Sequence, residues 1–335
     1  ERLMNPITTP YPIRRSRRLR REGWIRDMVA ENKISISDLI WPIFICEGSN
    51  KKEPINSLPG LFLYSVDEAS EIAKKAVDLG INCLALFPHT PPHLKNPSCS
   101  EAWNPQNLVN EATRAIKRVA PDLGIILDVA LDPYNSDGHD GLLRGSEVLN
   151  DETLIALEKQ ALVQAASGAD ILGPSDMMDG RVGVIRTALE TNGFKNTLIM
   201  SYSAKFSSSF YGPFRDAVGA TGALTGNKKT YQINCANSDE AIREVAVDIS
   251  EGADMVMVKP GMPYLDICRI IKDKFKVPTF AYQVSGEYAM IESANLNGFI
   301  DGDAVIMEAL MSFKRAGCDG VLTYFAPRLA KILSE

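Results

Sequence analysis

Four times along this chain a helical pattern ends on a glycine and a new apolar run begins almost at once: Gly80-Ile-Asn, Gly168-Ala-Asp, Gly252-Ala-Asp and Gly317-Cys-Asp. A glycine just past a helix accepts the left-handed backbone that turns the chain back on itself. Its recurrence in one form predicts a single βα unit used repeatedly, not a string of unrelated domains. The apolar runs fall at 41–45, 82–87, 124–131, 170–173, 197–202, 255–259, 278–284 and 320–325. Most are continuous, as parallel strands covered on both faces require. Helical patterns lie between them, at 66–79, 105–119, 151–166, 239–251 and 303–316 among others. Asn150-Asp151-Glu152 and Ser238-Asp239-Glu240 put capping and acidic residues at the positive end of the helix dipole. Eight such units predict an α/β protein built as a closed (β/α)8 TIM barrel. A doubly wound open sheet is the competing architecture, but no G-x-G-x-x-G follows the first run.

The 335 residues divide on this basis into an N-terminal arm, 1–36, and a catalytic barrel, 37–335. The arm holds nine Lys/Arg against four Asp/Glu, whereas the whole chain carries a net charge of −6, so the body is strongly acidic. A basic tail can bind nucleic acid. The run Arg14, Arg15, Arg17, Arg18, Arg20 and Arg21 lacks interleaved aromatics, however, and sits on a body that repels phosphate. The arm reads as a subunit-contacting segment or a solvated helix start, with no nucleic-acid partner. No apolar run approaches the roughly 20 residues that span a bilayer. The first residues lack the apolar core of a secretory signal, and six scattered cysteines without a C-x-x-C pair predict reduced thiols. The expected setting is cytoplasmic, with no membrane partner.

Lys259 ends the run Ala253-Asp-Met-Val-Met-Val-Lys. A lysine closing a buried strand is unusual unless it is paired or reaches the rim. Desolvation can lower its pKa by up to about 3–5 units from a reference near 10.4, giving an amine able to form a Schiff base with a carbonyl. Lys205 follows the neighbouring run in Leu198-Ile-Met-Ser-Tyr202-Ser-Ala-Lys. Two ammonium groups sharing one cavity disfavour each other's charged form, which tilts both towards catalysis. The third run leads into Asp128-Val-Ala-Leu-Asp132-Pro-Tyr-Asn-Ser-Asp137-Gly-His139-Asp140. That segment is either a turn-rich loop or an oxygen-lined site for proton transfer or a hard metal, magnesium before zinc. His89 and His93 read as loop histidines. The interval of about 36 residues between the fifth run and Asp239 far exceeds an ordinary connection and predicts a lid at about 203–238. Arg215, Lys228 and Lys229 in it can hold a carboxylate, with Gln232 as a neutral donor. Ser285 and Tyr324 close the seventh and eighth runs, where barrels often bind anions.

At these residues the sequence closely resembles the porphobilinogen synthase (5-aminolevulinate dehydratase) family. The matching segments are Pro174-Ser-Asp-Met-Met-Asp-Gly-Arg, Ser201-Tyr-Ser-Ala-Lys-Phe, Phe210-Tyr-Gly-Pro-Phe-Arg-Asp, Met257-Val-Lys-Pro-Gly and Tyr282-Gln-Val-Ser-Gly-Glu-Tyr. The resemblance implies a lyase that condenses two molecules of 5-aminolevulinate into porphobilinogen, an early step of haem, chlorophyll and cobalamin synthesis. It implies a Schiff base on Lys259, a second substrate engaged by Lys205, one carboxylate bound by Ser285 and Tyr324, and the other by Arg215, Lys228 and Gln232. Phe214 falls in the lid, and Tyr202 and Asp128 join the substrate pocket. Zinc-type members carry three cysteines where this chain has Ala130, Asp132 and Asp140, so no catalytic zinc is expected. Asp132 and Asp140 orient the substrate amine or protons instead. The aspartate-rich branch implies an allosteric or stimulatory magnesium at a subunit contact on Glu244, with Asp248 in its outer shell. The family also implies a homo-oligomer, an octamer in which the arm embraces a neighbour. A Schiff-base aldolase is the competing enzyme class; it needs one lysine and a proton-transfer partner, not two lysines with two anion clamps.

Overall fold

The computed structural model describes residues 10–219, 224 and 226–334. The chain divides into two compact units, with the boundary between Lys33 and Ile34. In the first unit, a 3-10 turn over Ser16–Arg20 precedes a short helix over Gly23–Met28. Arg18 and Arg26 donate to the carbonyls of Ile13 and Arg20. Tyr11, Ile13, Leu19, Trp24 and Met28 leave apolar surface exposed.

The second unit is an eight-stranded parallel barrel. Its strands are β1 (Leu39–Ile45), β2 (Cys83–Pro88), β3 (Gly124–Val129), β4 (Ile171–Pro174), β5 (Leu198–Lys205), β6 (Met255–Lys259), β7 (Thr279–Gln283) and β8 (Gly320–Thr323). Each pairs in parallel with the next, and β8 pairs with β1, with Leu39 opposite Val321, to close the ring. A short antiparallel pair, Lys52–Pro54 with Phe62–Tyr64, extends the sheet beside β1. The crossover helices are α1 (Val66–Asp78), α2 (Leu108–Val119), α3 (Asn150–Ser167) and α4 (Arg181–Thr191). A short α5 (Gly212–Ala217) precedes α6 (Ser238–Ser250), α7 (Leu265–Phe275), α8 (Ser285–Leu296), α9 (Gly302–Arg315) and α10 (Ala326–Ser334). Helix α2 shows how they attach. Val109, Ala112, Ile116 and other buried residues form one stripe against the sheet, and Asn107 caps its start by accepting from the Asn110 N–H. Burying Val109 and Ile116 contributes roughly 1.5–3 kcal/mol each.

The repeated glycine exits work as the sequence predicts. Gly80, Gly168, Gly252 and Gly317 all have φ between +74° and +107°, which a Cβ would strain. The aspartate two residues later does a second job. Asp170, Asp254 and Asp319 each accept, at 2.7–2.8 Å, a backbone N–H at the start of the preceding strand, from Ile125, Ile199 and Thr279. Each is also salt-bridged at 2.6 Å, to Lys117, Arg186 and Lys272 respectively. Gly-x-Asp thus turns the chain and knits neighbouring strands at the N-terminal rim, leaving the opposite rim to chemistry.

Two strand ends differ from expectation. The third run stops at Val129, not Leu131, because the Leu131 N–H bonds the Asp140 carbonyl at 3.3 Å and so turns into the loop. The fifth runs on from 202 to Lys205. Its polar residues are not a loop signal but have buried partners, such as Ser201 Oγ on Asp248 at 2.7 Å. The segment between β5 and α6 therefore begins at residue 206.

Candidate active site

Lys205 and Lys259 are directly paired across the β5–β6 ladder at the C-terminal rim. They are 5% and 7% exposed. Their surroundings are opposite in character. Lys205 Nζ donates to Asp140 Oδ1 at 3.0 Å and to the Ser175 carbonyl at the end of β4. Lys259 Nζ lies among aromatic faces, 4.8 Å from the centroid of Tyr282, 5.1 Å from Tyr202 and Phe214, and 5.4 Å from Tyr211. Among the described residues it has no hydrogen-bond acceptor. Aromatic faces attract a cation but cannot take its protons. Burial first, then the neighbouring Lys205 charge, lowers the Lys259 pKa to about 7, against the pull of Asp128, Asp132 and Asp140. A like-charge argument alone treats the two lysines alike; the structure makes them unequal.

The carboxylates are arranged around Lys205. Asp140, fully buried, meets Lys205 and also Lys228 Nζ, 2.6 Å from its Oδ2. Burial alone would raise its pKa, but the two lysines hold it well below the usual carboxylate range. Lys228 also reaches Asp132 at 3.3 Å. Burial would lower the Lys228 pKa, yet Asp132 and Asp140 push it up to about 12. Tyr231 donates to Asp140 Oδ2 at 2.9 Å and lies 3.0 Å from His139 Nδ1. Asp128 is different. Burial first, and then Asp132, raise it to about 6 against Lys259 and Lys205, and its Oδ1 has no hydrogen bond among the described residues.

A small cavity joins Lys205, Lys259, Asp132, Arg215, Phe214 and Gln232, with Lys228 and Tyr211. Phe214 packs on Phe44 and Phe87, with ring centroids 5.8 and 5.5 Å apart. Ser285 and Tyr324 stand behind this lining. The Ser285 hydroxyl accepts from the Phe214 N–H at 3.0 Å and contacts the Phe210 carbonyl at 3.4 Å. Gly286 permits that approach, since a Cβ there would come within 2.5 Å of the same carbonyl. Tyr324 shares a 2.9 Å hydroxyl contact with Tyr282. His89, expected to be an ordinary loop residue, contacts the Ala217 carbonyl through Nδ1 at 2.8 Å and so secures the end of α5. Tyr211, Tyr231 and Tyr282 were not singled out from sequence; each lies within or beside a motif that was.

Glu244 and Asp248 lie apart from this cavity. Half-buried Glu244 on α6 lines a separate hollow with Asp179, Glu240 and the stretch 229–233. Burial raises its pKa; Arg181 opposes this, while Asp248, Asp179 and Glu240 add to it. Asp248 takes a bidentate bond from Arg181, at 3.0 and 3.1 Å, besides that from Ser201. Among the described residues no group of three or more His, Cys, Asp or Glu is placed to hold a metal ion. No helix among them is long and apolar enough to cross a membrane.

A closed β/α barrel with a desolvated amine at one strand end, a salt-bridged lysine beside it and cationic groups around the mouth defines a carbonyl-condensing lyase of the lysine-nucleophile class. The profile of the family described as delta-aminolevulinic acid dehydratase matches residues 13–332. This chain belongs to that family. It is 58% identical over 319 residues to the delta-aminolevulinic acid dehydratase of Bradyrhizobium diazoefficiens, covering 95% of this chain and 90% of the relative. It is 57% identical over 330 residues to the Rhodobacter capsulatus protein of the same name, covering 98% and 99%. The crystal structure of the Toxoplasma gondii ME49 delta-aminolevulinic acid dehydratase (porphobilinogen synthase), in complex with the reaction product porphobilinogen, superposes with a TM-score of 0.93 at 45% identity. The match covers 95% of this chain and 91% of that one.

Proposed function

We infer that this chain condenses two molecules of 5-aminolevulinate into porphobilinogen with release of two waters, as a hydro-lyase of tetrapyrrole biosynthesis. The observation that carries this reading is the side-by-side pair of buried lysines in unlike surroundings. With its pKa near 7, Lys259 supplies a neutral amine at ordinary pH, which adds to the substrate ketone and loses water to give the imine. Lys205, held by Asp140 and the Ser175 carbonyl, engages the second substrate. Ser285 and Tyr324 bind the carboxylate of the Lys259-bound molecule; Arg215, Lys228 and Gln232 bind the other. The Lys228 ammonium already meets Asp132 and Asp140, so a substrate carboxylate shares or replaces these partners. Asp128, a carboxyl near pKa 6 with a free oxygen among the described residues, suits proton transfer beside Tyr202.

The enclosed space is about 40 Å³, room for a water or two. Two substrates need more room than this, and the proposed lid, about 203–238 and carrying Phe214, is the segment whose movement would give it; residues 220–223 and 225 of that span lie outside the described residues. Borohydride reduction with 5-aminolevulinate, followed by peptide mass mapping, tests the assignment: an adduct on Lys259 is expected, and its absence refutes the reading.

The pH dependence follows from the lowered Lys259 pKa. Protonation removes the nucleophile, so trapping at Lys259 falls as pH drops through about 7 and is steady above roughly 8. A profile still flat at pH 5.5 would contradict it.

For the metal, Glu244 fits a magnesium role. The ion takes one or two carboxylates and keeps several waters, and here it would neutralise an acidic wall formed with Asp179 and Glu240. Asp248, one helical turn on, would fall in the outer shell of that ion, though its own oxygens already meet Arg181 and Ser201. Magnesium is expected to raise activity, a zinc-selective chelator to leave it intact, and Glu244→Ala to abolish the magnesium response; loss of activity to the chelator would overturn the assignment. The exposed apolar residues of the arm, Trp24 and Met28 among them, support its role in a homo-oligomer, an octamer by family resemblance.

A further inference from the structure

Glu287 is fully buried in the first turn of α8, and no mechanistic role has yet used it. Its Oε2 accepts from the N–H groups of Gly261 at 3.1 Å and Val284 at 2.7 Å, and its Oε1 accepts from Met262 N–H at 2.6 Å. Among the described residues no cation pairs with it. These three donors belong to two segments. Gly261 and Met262 follow Lys259 after a single residue, Pro260; Val284 is the residue directly before Ser285. One carboxylate therefore ties the end of β6 to the start of α8.

The tie has little slack. A Cβ on Gly261 would come within 2.6 Å of the Phe313 ring and 2.9 Å of the Tyr282 carbonyl, so the turn is seated against β7 and α9 as well. A buried, unpaired carboxylate is a costly way to fasten two loops. Burial raises its pKa to about 7, even though the N–H groups of Val284, Met262 and Gly261 oppose that. What it supplies is geometry: three directional bonds converging on one side chain.

We propose that Glu287 is a positioning residue that sets the distance between Lys259 and Ser285, and thereby the length of keto acid the site accepts. The proposal rests on the reading that Lys259 forms the imine and Ser285 binds the carboxylate of the same molecule. In 5-aminolevulinate the ketone carbon and the carboxylate are separated by two methylenes. A fixed amine-to-hydroxyl spacing acts as a ruler for that separation, and displacement of one anchor by a fraction of an ångström is enough to spoil it.

The test uses borohydride trapping on the intact protein with two keto acids, 4-oxopentanoate, which has the substrate's spacing, and 5-oxohexanoate, which is one methylene longer. The unsubstituted protein is expected to trap the shorter acid on Lys259 at far lower concentration. In Glu287→Gln an amide N–H₂ faces backbone donors, and the preference for the shorter acid is expected to shrink on the order of tenfold. Glu287→Asp keeps the charge on a shorter arm and is expected to shrink it too, so it carries the test if the amide variant does not fold. A folded variant that binds both acids more weakly by the same factor would overturn the proposal, because a purely structural residue changes both equally. If the unsubstituted protein yields no Lys259 adduct with either acid, the assignment of Lys259 itself fails, and that outcome is separate from an unchanged ratio in the variants.

Discussion

Replacing Lys259 with alanine is expected to abolish porphobilinogen formation, with kcat falling roughly ten-thousandfold or more, the scale on which loss of a covalent nucleophile acts. The reason is local. Tyr202, Tyr211, Phe214 and Tyr282 surround the Nζ position with rings that offer no substitute nucleophile, and Lys205 is tethered to Asp140 and Ser175. The barrel is expected to survive the substitution, because β6 is held through its backbone on both edges. The measurement is colorimetric assay of the pyrrole together with circular dichroism. Retained turnover in a folded variant would show that the imine forms elsewhere.

Lys205→Met is expected to do two separable things. It removes the partner of Asp140 and the cation proposed to engage the second substrate, so condensation is expected to fall about a thousandfold. It also removes the charge that, after burial, most lowers the Lys259 pKa. Without a neighbouring like charge the ammonium form is favoured, so the Lys259 pKa rises and the acid limb of the trapping profile moves to higher pH. Keto acids are still trapped on Lys259 once the pH is high enough. A limb that stays in place or moves downward would mean that the two lysines do not sense each other across the ladder. Mass mapping of the unsubstituted protein with 5-aminolevulinate also reports whether Lys205 itself is modified.

The barrel was visible in the sequence because its signals are local. At Gly168 and its three counterparts the left-handed turn is a requirement of one residue alone, whereas the aspartate that follows three of these glycines accepts from a strand start 40–55 residues away, which the sequence did not reveal. The lysines were visible because charge at the end of Met255–Lys259 contradicts its surroundings. What sequence could not show was which acceptors each lysine would meet. Asp140 is 65 residues from Lys205, and Tyr231 is 91 residues from Asp140; no periodicity relates them. The polarity of Ser201-Tyr202-Ser203 likewise reads as the end of a strand, until Asp248 on α6 is found to accept from Ser201. His89 gave no sign of its bond to Ala217, since that contact spans 128 residues and closes only in the folded chain.

The oxygen-rich loop facing the lysines has a toxicological side. Soft ions such as lead and mercury seek thiolate sulfur, whereas carboxylates favour hard cations. Here the loop presents Asp132 and Asp140, already matched to Lys228 and Lys205, and the described lining of the cavity contains no cysteine. Among the described residues the exposed thiol is Cys235, outside that lining. Among the described residues a soft ion or a thiol oxidant therefore meets no cysteine in the lining of this cavity, where carboxylates and ammonium groups stand instead.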